Sequence, residues 1–161
     1  MSNITTRETT RETTREATLE DVSALLKLEQ GIIDSERPYD QFIREENVSY
    51  YDIPKLISEP ESQMIVMESD GQIIGSGYAQ IRQSKSCHTH ENHCYLGFIY
   101  LDAEYRGRAL GHKIIEALKA WGTSRGISHF QLDVFSGNKA AVRAYEKAGF
   151  KKGLVRMELE V

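Results

Sequence analysis

The stretch Leu101–His112, LDAEYRGRALGH, decides how the rest of the chain is read. It leaves the near-continuous apolar and aromatic run Cys94–Leu101 and passes through a turn rich in Arg and Gly. It then enters Gly111–Arg125, where Ile114, Ile115, Leu118 and Trp121 recur at helical spacing. The unit is therefore strand, polar turn, helix. A helix start carries backbone N–H groups without intrahelical partners and the positive end of the helix dipole. Arg106 and Arg108 oppose that dipole, so their presence calls for an anion. Gly107 and Gly111 let the backbone approach it closely, which makes the turn a phosphate site. The spacing matches neither a Walker loop, which ends in Gly-Lys-Ser/Thr, nor the dinucleotide GxGxxG.

Working outward, Ser62–Glu68 reads as a strand through Met64, Ile65, Val66 and Met67, and Asp70-Gly71 is a hairpin signal before a second strand from Gln72 to about Arg82. Ser84–Asn92 is a polar loop, after which Cys94–Leu101 has the composition of a strand buried on both faces at the sheet centre. Past the helix, Gly126 supplies a stop. His129–Phe135 then reads as a strand, Asn138–Ala148 as a helix closed by Gly149, and Leu154–Val161 as a final strand. Toward the N-terminus, a short strand is expected around Arg15-Glu16-Ala17. Thr18 and Asp21 then open a helix carrying Val22, Leu25, Leu26 and Leu28, which Gly31 breaks or ends. Ile32–Ser58 is irregular, with Pro38 and Pro54 as breakers and a second helical stretch expected within Tyr39–Leu56. Alternating strands and helices predict an α/β chain (α+β mixed sheet) with helices on both faces.

At 161 residues the chain fits one domain. Thr6–Thr18 spells TRET-like units with almost nothing apolar, so residues 1–13 are expected to be a flexible low-complexity tail and residues 14–161 the domain. Twenty-four acids against twenty bases give a net charge of −4, so no global positive field collects nucleic acid or an anionic membrane. No apolar run approaches the roughly 20 residues of a membrane span, and the polar N-terminus has no apolar signal core, so a cytoplasmic location is expected. Two cysteines, Cys87 and Cys94, make no disulfide framework and suit a reducing compartment.

A second block lies downstream, LDVFSGNKAAVRAYEKAGF over residues 132–150, with Asn138, Ala141, Tyr145, Gly149 and Phe150 at characteristic places. Together with Arg106-x-x-Ala109-x-Gly111, in the right order, it resembles the signatures of the GNAT (GCN5-related N-acetyltransferase) superfamily. Two departures stand out: Ala109 where the first signature Gly is usual, and Ala103 where Pro is common. The resemblance spans most of Arg15–Val161. It implies a central mixed sheet whose parallel strands Cys94–Leu101 and His129–Phe135 splay apart around acetyl-CoA. On that pattern Ile99, Tyr100 and Leu101 pair with pantetheine, and Arg106, Gly107, Arg108, Ala109, Leu110, Gly111 and His112 hold the pyrophosphate. Asn138 would contact the pantetheine, Tyr145 would give a proton to the departing thiolate, and the acceptor would be an amine. A homodimer is common among similar proteins.

Attack by an amine on a thioester needs a neutral amine, donors for the oxyanion and a proton for the thiolate. An alkylamine with pKa about 10.4 is mostly protonated at pH 7, a gap of roughly 3.4 units or about 4.6 kcal/mol. By their match to the family, Asp133 and Glu91 are the two candidate bases. The loop CHTHENHC, residues 87–94, clusters His and Cys, but its ligand order fits no standard zinc pattern, so no metal is assigned; its histidines could instead tune acceptor binding as they titrate. Acids and aromatics between Asp34 and Asp52, among them Glu36, Tyr39, Asp40, Glu45, Glu46, Tyr50 and Tyr51, would suit a cationic acceptor, whereas Arg37 would suit a carboxylate. The expectation is an acetyl-CoA-dependent N-acetyltransferase acting on a small amine or amino acid. The alternatives are a protein or peptide N-acetyltransferase and a non-catalytic acyl-CoA sensor.

Overall fold

Alternation within Ser62–Ser69 creates the two sides of the molecule: Met64 and Val66 enter one apolar cluster, and Ile65 and Met67 enter another across the sheet. In the computed structural model, which describes residues 12–161, this segment is β2 of a five-stranded sheet. The strands are β1 (Thr13–Glu16), β2 (Ser62–Ser69), β3 (Gln72–Gln83), β4 (Asn92–Leu101) and β5 (Phe130–Gln131), and their order in the sheet follows the chain. All neighbours are antiparallel except β4 and β5, which run parallel. The hairpin between β2 and β3 turns on Asp70 and Gly71, with φ of 51° and 75°, the double left-handed geometry of a type I′ turn.

On one face lie α1 (Val22–Glu36) and α2 (Ile53–Ser58), whose Leu25, Leu28, Ile32, Ile53 and Leu56 meet Met64, Val66, Tyr78 and Phe98. On the other lies α3 (Leu110–Ser124), whose Leu110, Ile114 and Leu118 meet Ile65, Met67, Ile74, Ala79 and Leu96. α4 (Lys139–Lys147) follows β5. No described helix is long and apolar enough to cross a membrane.

Four expectations need correction. α1 does not end at Gly31 but runs through it, because the missing side chain is the space that the Tyr100 ring and hydroxyl occupy; a Cβ there would overlap them. The second helix overlaps only the end of its expected window and runs past it to Ser58, because Asp52 caps it by accepting from the Lys55 amide at 3.2 Å. The strand expected over His129–Phe135 shrinks to Phe130–Gln131, because the parallel ladder opens after its second residue pair. Leu154–Val161 is no strand of this sheet: past Phe150 the chain makes no backbone hydrogen bond to any described residue, so its apolar positions have no face to cover. Of the expected N-terminal tail, residues 1–11 lie outside the described residues, and β1 begins at Thr13, two residues ahead of Arg15.

Entry to α1 is fastened by ion pairing. Arg15 donates from Nη1 and Nη2 to the two oxygens of buried Asp21 at 2.8 and 2.9 Å, and from Nε to Glu68 on β2 at 2.9 Å. Asp21 also accepts from the Thr18 amide at 2.8 Å. The Arg15 hydrogen bonds hold the Asp21 carboxyl below its usual range. A depressed carboxyl pKa stabilises the fold above the unfolded value of 3.8, and that contribution is lost as pH falls below it. Asp21→Asn should therefore cost about 1.5–3 kcal/mol at neutral pH. The gap from the parent protein should stay constant down to about pH 4 and close below it, as thermal unfolding across pH will test.

Candidate active site

β4 changes sides midway. Cys94 and Leu96 face the α3 cluster and Tyr95 the α1 cluster, but past Gly97 the order inverts: Phe98 and Tyr100 join the α1 side, Ile99 and Leu101 the α3 side. The cause is an extra residue, since the β3–β4 register shifts between Ser76 and Tyr78 and Phe98 takes φ of 50°. Buried Ser76 fixes the bulge by donating to the Phe98 carbonyl at 3.0 Å. Gly97 is required beside it, because a Cβ there would lie 2.5 Å from the Tyr78 ring. Beyond the bulge β4 has no partner strand on its β5 side among the described residues, the β4–β5 ladder comprising only Cys94 with Phe130 and Tyr95 with Gln131. Ile99, Tyr100 and Leu101 thus offer main-chain donors and acceptors to an open cleft, as a pantetheine amide chain would need.

At the end of β4 the chain makes a short 3-10 turn, Ala103–Tyr105, and then the start of α3. Arg106 is aimed by its Nε bond to the Leu101 carbonyl at 3.0 Å and by the Tyr100 ring, 5.4 Å from its guanidinium carbon. Arg108 lies 5.4 Å from the Tyr105 ring and 3.9 Å from the Glu12 carboxylate. Among the described residues no side chain caps α3, so the first-turn amides of Leu110, Gly111 and His112 are left for a ligand. Leu110 itself is buried and contributes only backbone, Gly111 fronts open space, and His112 is exposed, 3.9 Å from Glu116. Two guanidinium groups around uncapped amides fit a pyrophosphate.

Gly107 and Ala109 both adopt left-handed backbone, φ 79° and 58°. An alanine there is strained by about 1–2 kcal/mol, partly offset by the smaller backbone entropy it brings to the unfolded chain. Ala109→Gly should raise the unfolding midpoint by about 2–4 °C, a gain of up to about 1 kcal/mol, without weakening acetyl-CoA binding; differential scanning fluorimetry with and without acetyl-CoA will read both.

α4 begins at Asn138, whose Oδ1 accepts from the Ala141 amide at 3.2 Å. Asn138 is therefore a helix cap whose remaining amide protons are free for a ligand. The helix carries Tyr145 against Phe150, edge to face at 6.2 Å. Desolvation, reinforced by the charge of Glu36, pushes the Tyr145 phenol up to about 12. Glu36, the last residue of α1, is half-buried beside the Tyr50 hydroxyl; its carboxyl is pushed above the usual range by desolvation and by Asp40, against the pull of Tyr50. Aromatic rings close this side. Tyr51 stacks on Phe98 at 4.7 Å, and Tyr39 stacks on Phe135 at 6.5 Å.

The fold brings neither candidate base freely to the bulge. Asp133 accepts from the Tyr95 hydroxyl at 3.0 Å, and Glu91 precedes β4, the greater part of a strand away from Phe98. Arg37 is used up locally, donating to Asp34 and to the carbonyls of Ile43, Arg44 and Glu45, so it is a loop organiser and not a free carboxylate clamp. In the histidine loop, Ser84 Oγ meets His90 Nδ1 at 2.7 Å and His93 Nδ1 at 3.0 Å, and His90 stacks on His129 at 3.9 Å. Cys94 is buried, which pushes its thiol up to about 11, and no group of three or more metal-ligating side chains occurs among the described residues. Glu36 was one acid among many in the sequence, and only the fold singles it out, by setting its charge where the Tyr145 phenol feels it.

The sequence profile of the Acetyltransferase (GNAT) family matches residues 21–150, which takes in the bulge, the phosphate turn and Tyr145. The chain belongs to the GNAT family. A curated relative, thialysine N-epsilon-acetyltransferase of Mus musculus, is 37% identical over 82 residues, 51% of this chain and 47% of that protein. The chain thus spans about half the length of that relative. Among solved structures, a variant of the BH1408 protein from Bacillus halodurans aligns with a TM-score of 0.82 at 21% identity, covering 92% of this chain and 99% of that one. A predicted acetyltransferase from Clostridium acetobutylicum, solved with acetyl-CoA, aligns with a TM-score of 0.72 at 19% identity, covering 93% and 96%. These likenesses establish the GNAT fold, with its mixed sheet and helices on both faces.

Proposed function

We propose that the chain transfers an acetyl group from acetyl-CoA to a small, cationic primary amine. The observation that carries this reading is Glu36, a half-buried carboxyl at the end of α1 that bonds with the Tyr50 hydroxyl and whose charge is felt by the Tyr145 phenol. The Tyr50 and Tyr51 rings meet edge to face on this side, and Arg37, next to Glu36 in the chain, is already engaged by loop carbonyls. Such a wall attracts an ammonium group and repels a carboxylate. The name of the mouse relative, an N-epsilon-acetyltransferase, is in keeping with an amine at the end of a flexible chain.

In this reading Arg106, Arg108 and the α3 amides anchor the pyrophosphate, and Asn138 and Ile99–Leu101 align the pantetheine arm along β4. Glu36 draws in the ammonium form and, with its raised pKa, accepts the proton that the nitrogen must lose. The nitrogen lone pair then forms the C–N bond at the thioester carbon. Backbone N–H groups at the bulge receive the oxyanion, and as the C–S bond breaks Tyr145 gives its proton to the thiolate. Asp133 has a lesser part here, holding the Tyr95 hydroxyl.

The test is a thiol-release assay with acetyl-CoA against diamines, polyamines, lysine analogues, neutral amino sugars and peptides. Cationic small amines should stimulate release most. Release by peptides alone would favour the protein-modifying alternative, and acetyl-CoA binding without release by any acceptor would favour a sensor.

A further inference from the structure

The histidine loop is the densest cluster of titratable groups that the site does not use. His88 and His90 in the β3–β4 connection, His93 at the start of β4 and His129 just before β5 stand together. Their ring centroids lie 5.1 Å apart for His88 and His90, 6.3 Å for His90 and His93, and 3.9 Å for His90 and His129. The last pair is stacked, 17° from parallel, so the loop is laid on the entry to β5. The contacts suit neutral rings. Gln131 Nε2 donates to His129 Nε2 at 3.3 Å, and a ring nitrogen accepts only while it carries no proton. Ser84 Oγ, with one proton, can donate to one of His90 Nδ1 at 2.7 Å and His93 Nδ1 at 3.0 Å while accepting from the other. Among the described residues none of the four imidazoles is in an ion pair. Of the charged groups on the surrounding elements, Arg82 of β3 covers the Tyr95 ring at 3.8 Å and adds its positive charge at His93. Lys85 and Glu91 line the same hollow as His88 and His90, Asp133 is held by Tyr95, and Arg125 at the end of α3 is held by Glu61.

We infer that these four histidines form a pH-sensitive clamp, closed while neutral, which holds β5 against the start of β4 and lets go when the stacked pair takes up a proton. What it holds is thin: two residue pairs of parallel ladder, and the Cys94 amide, which donates to the His129 carbonyl at 2.8 Å. Protonation of His129 at Nε2 costs the Gln131 contact and sets a cation among imidazoles and Arg82 with no ion pair to offset it. Desolvation and the neighbouring imidazoles, with Arg82 acting on His93, already hold His93 and His129 below the ordinary value of 6.5. For a base held low in the closed state, closure is favoured in full above 6.5, and the preference fades as pH falls below it. Asp133, two residues past β5, keeps the Tyr95 hydroxyl in place, so release slackens that wall of the cleft too. This last consequence rests on the transferase reading; the clamp itself does not.

Hydrogen exchange at the Cys94 amide, expressed as a protection factor to remove the intrinsic pH dependence, tests this on the full chain without any turnover. In the parent, protection should fall about tenfold between pH 7.5 and 5.5, which is what one imidazole supplies one unit below its ordinary value. His90→Phe keeps a ring to lie on His129 but takes no charge, so its protection should change less than about threefold over that range. His90→Lys fixes a charge at the same place and should show a loss of about tenfold already at pH 7.5. His90 is only half-buried, so circular dichroism of both variants should match the parent. Urea below the unfolding transition should leave the Cys94 exchange rate unchanged, the mark of a local opening. Equal protection at the two pH values, the same fall in His90→Phe, parent-like protection in His90→Lys at pH 7.5, or a rate that rises with urea would each overturn the inference.

Discussion

Tyr145→Phe is expected to lower turnover by about 10²–10⁴-fold, the usual contribution of a positioned acid, while leaving acetyl-CoA affinity within about twofold. The expected split follows from what the phenol touches. Its ring packs edge to face on Phe150, a contact that phenylalanine preserves, so fold and cofactor cleft should survive. What is lost is the O–H, the proton source for the thiolate as the C–S bond breaks. With its phenol raised to about 12, Tyr145 stays protonated throughout the working range, so the acidic limb of the pH profile reports other groups. The rise of kcat/KM with pH should follow deprotonation of the amine and of Glu36. Steady-state kinetics with isothermal titration of acetyl-CoA will separate the two effects. Turnover equal to the parent's would remove Tyr145 as the acid.

Much of this arrangement was legible wherever a local rule dictated structure. Asp70-Gly71 announced a hairpin because two adjacent left-handed residues are what a type I′ turn needs. Arg106 and Arg108 announced an anion because cations are misplaced at a helix start unless something negative sits there. The phosphate turn, α3 and α4 follow such local chemistry. The bulge does not, because its signal is a change of phase: Leu96 and Phe98 are both apolar, and only the packing shows that they face opposite sides. Gly97 was the available hint. Gly31 misled for a related reason. Its small size serves a contact with Tyr100, distant in sequence, and not the end of a helix. The charge of Glu36 acts on Tyr145 only through the tertiary path of α1, and no spacing rule joins residues so far apart. The alternation over Val155–Val161 misled as well, because a period of two signals a strand only where a sheet edge receives it, and here its apolar side chains stay exposed.

Glu29→Ala should be the most damaging single substitution for stability outside the two cores, costing about 3–5 kcal/mol. Glu29 is fully buried on α1 and among the described residues no cation pairs with it; Oε1 accepts from the Tyr50 and Tyr51 amides at 2.8 and 2.9 Å and from Ser49 Oγ at 3.3 Å. Removing it leaves two part-buried backbone N–H groups without their acceptor, each worth about 1–3 kcal/mol, besides a cavity in α1's packed face. Glu29→Gln separates these causes. It keeps an acceptor oxygen in nearly the same volume, so it should cost no more than about 1.5 kcal/mol, the difference between a charged and a neutral hydrogen bond. The consequence extends to function, since this carboxyl is what turns Tyr51 onto Phe98 at the bulge and sets Tyr50 beside Glu36. In Glu29→Ala the KM for the amine should therefore rise by tenfold or so, a loss of about 1.4 kcal/mol in acceptor binding, with the acetyl-CoA constant little changed. Urea unfolding and two-substrate kinetics measure the pair of effects. A loss below about 0.5 kcal/mol, typical of an indifferent surface position, would show that Ser49–Tyr51 is held by something other than Glu29.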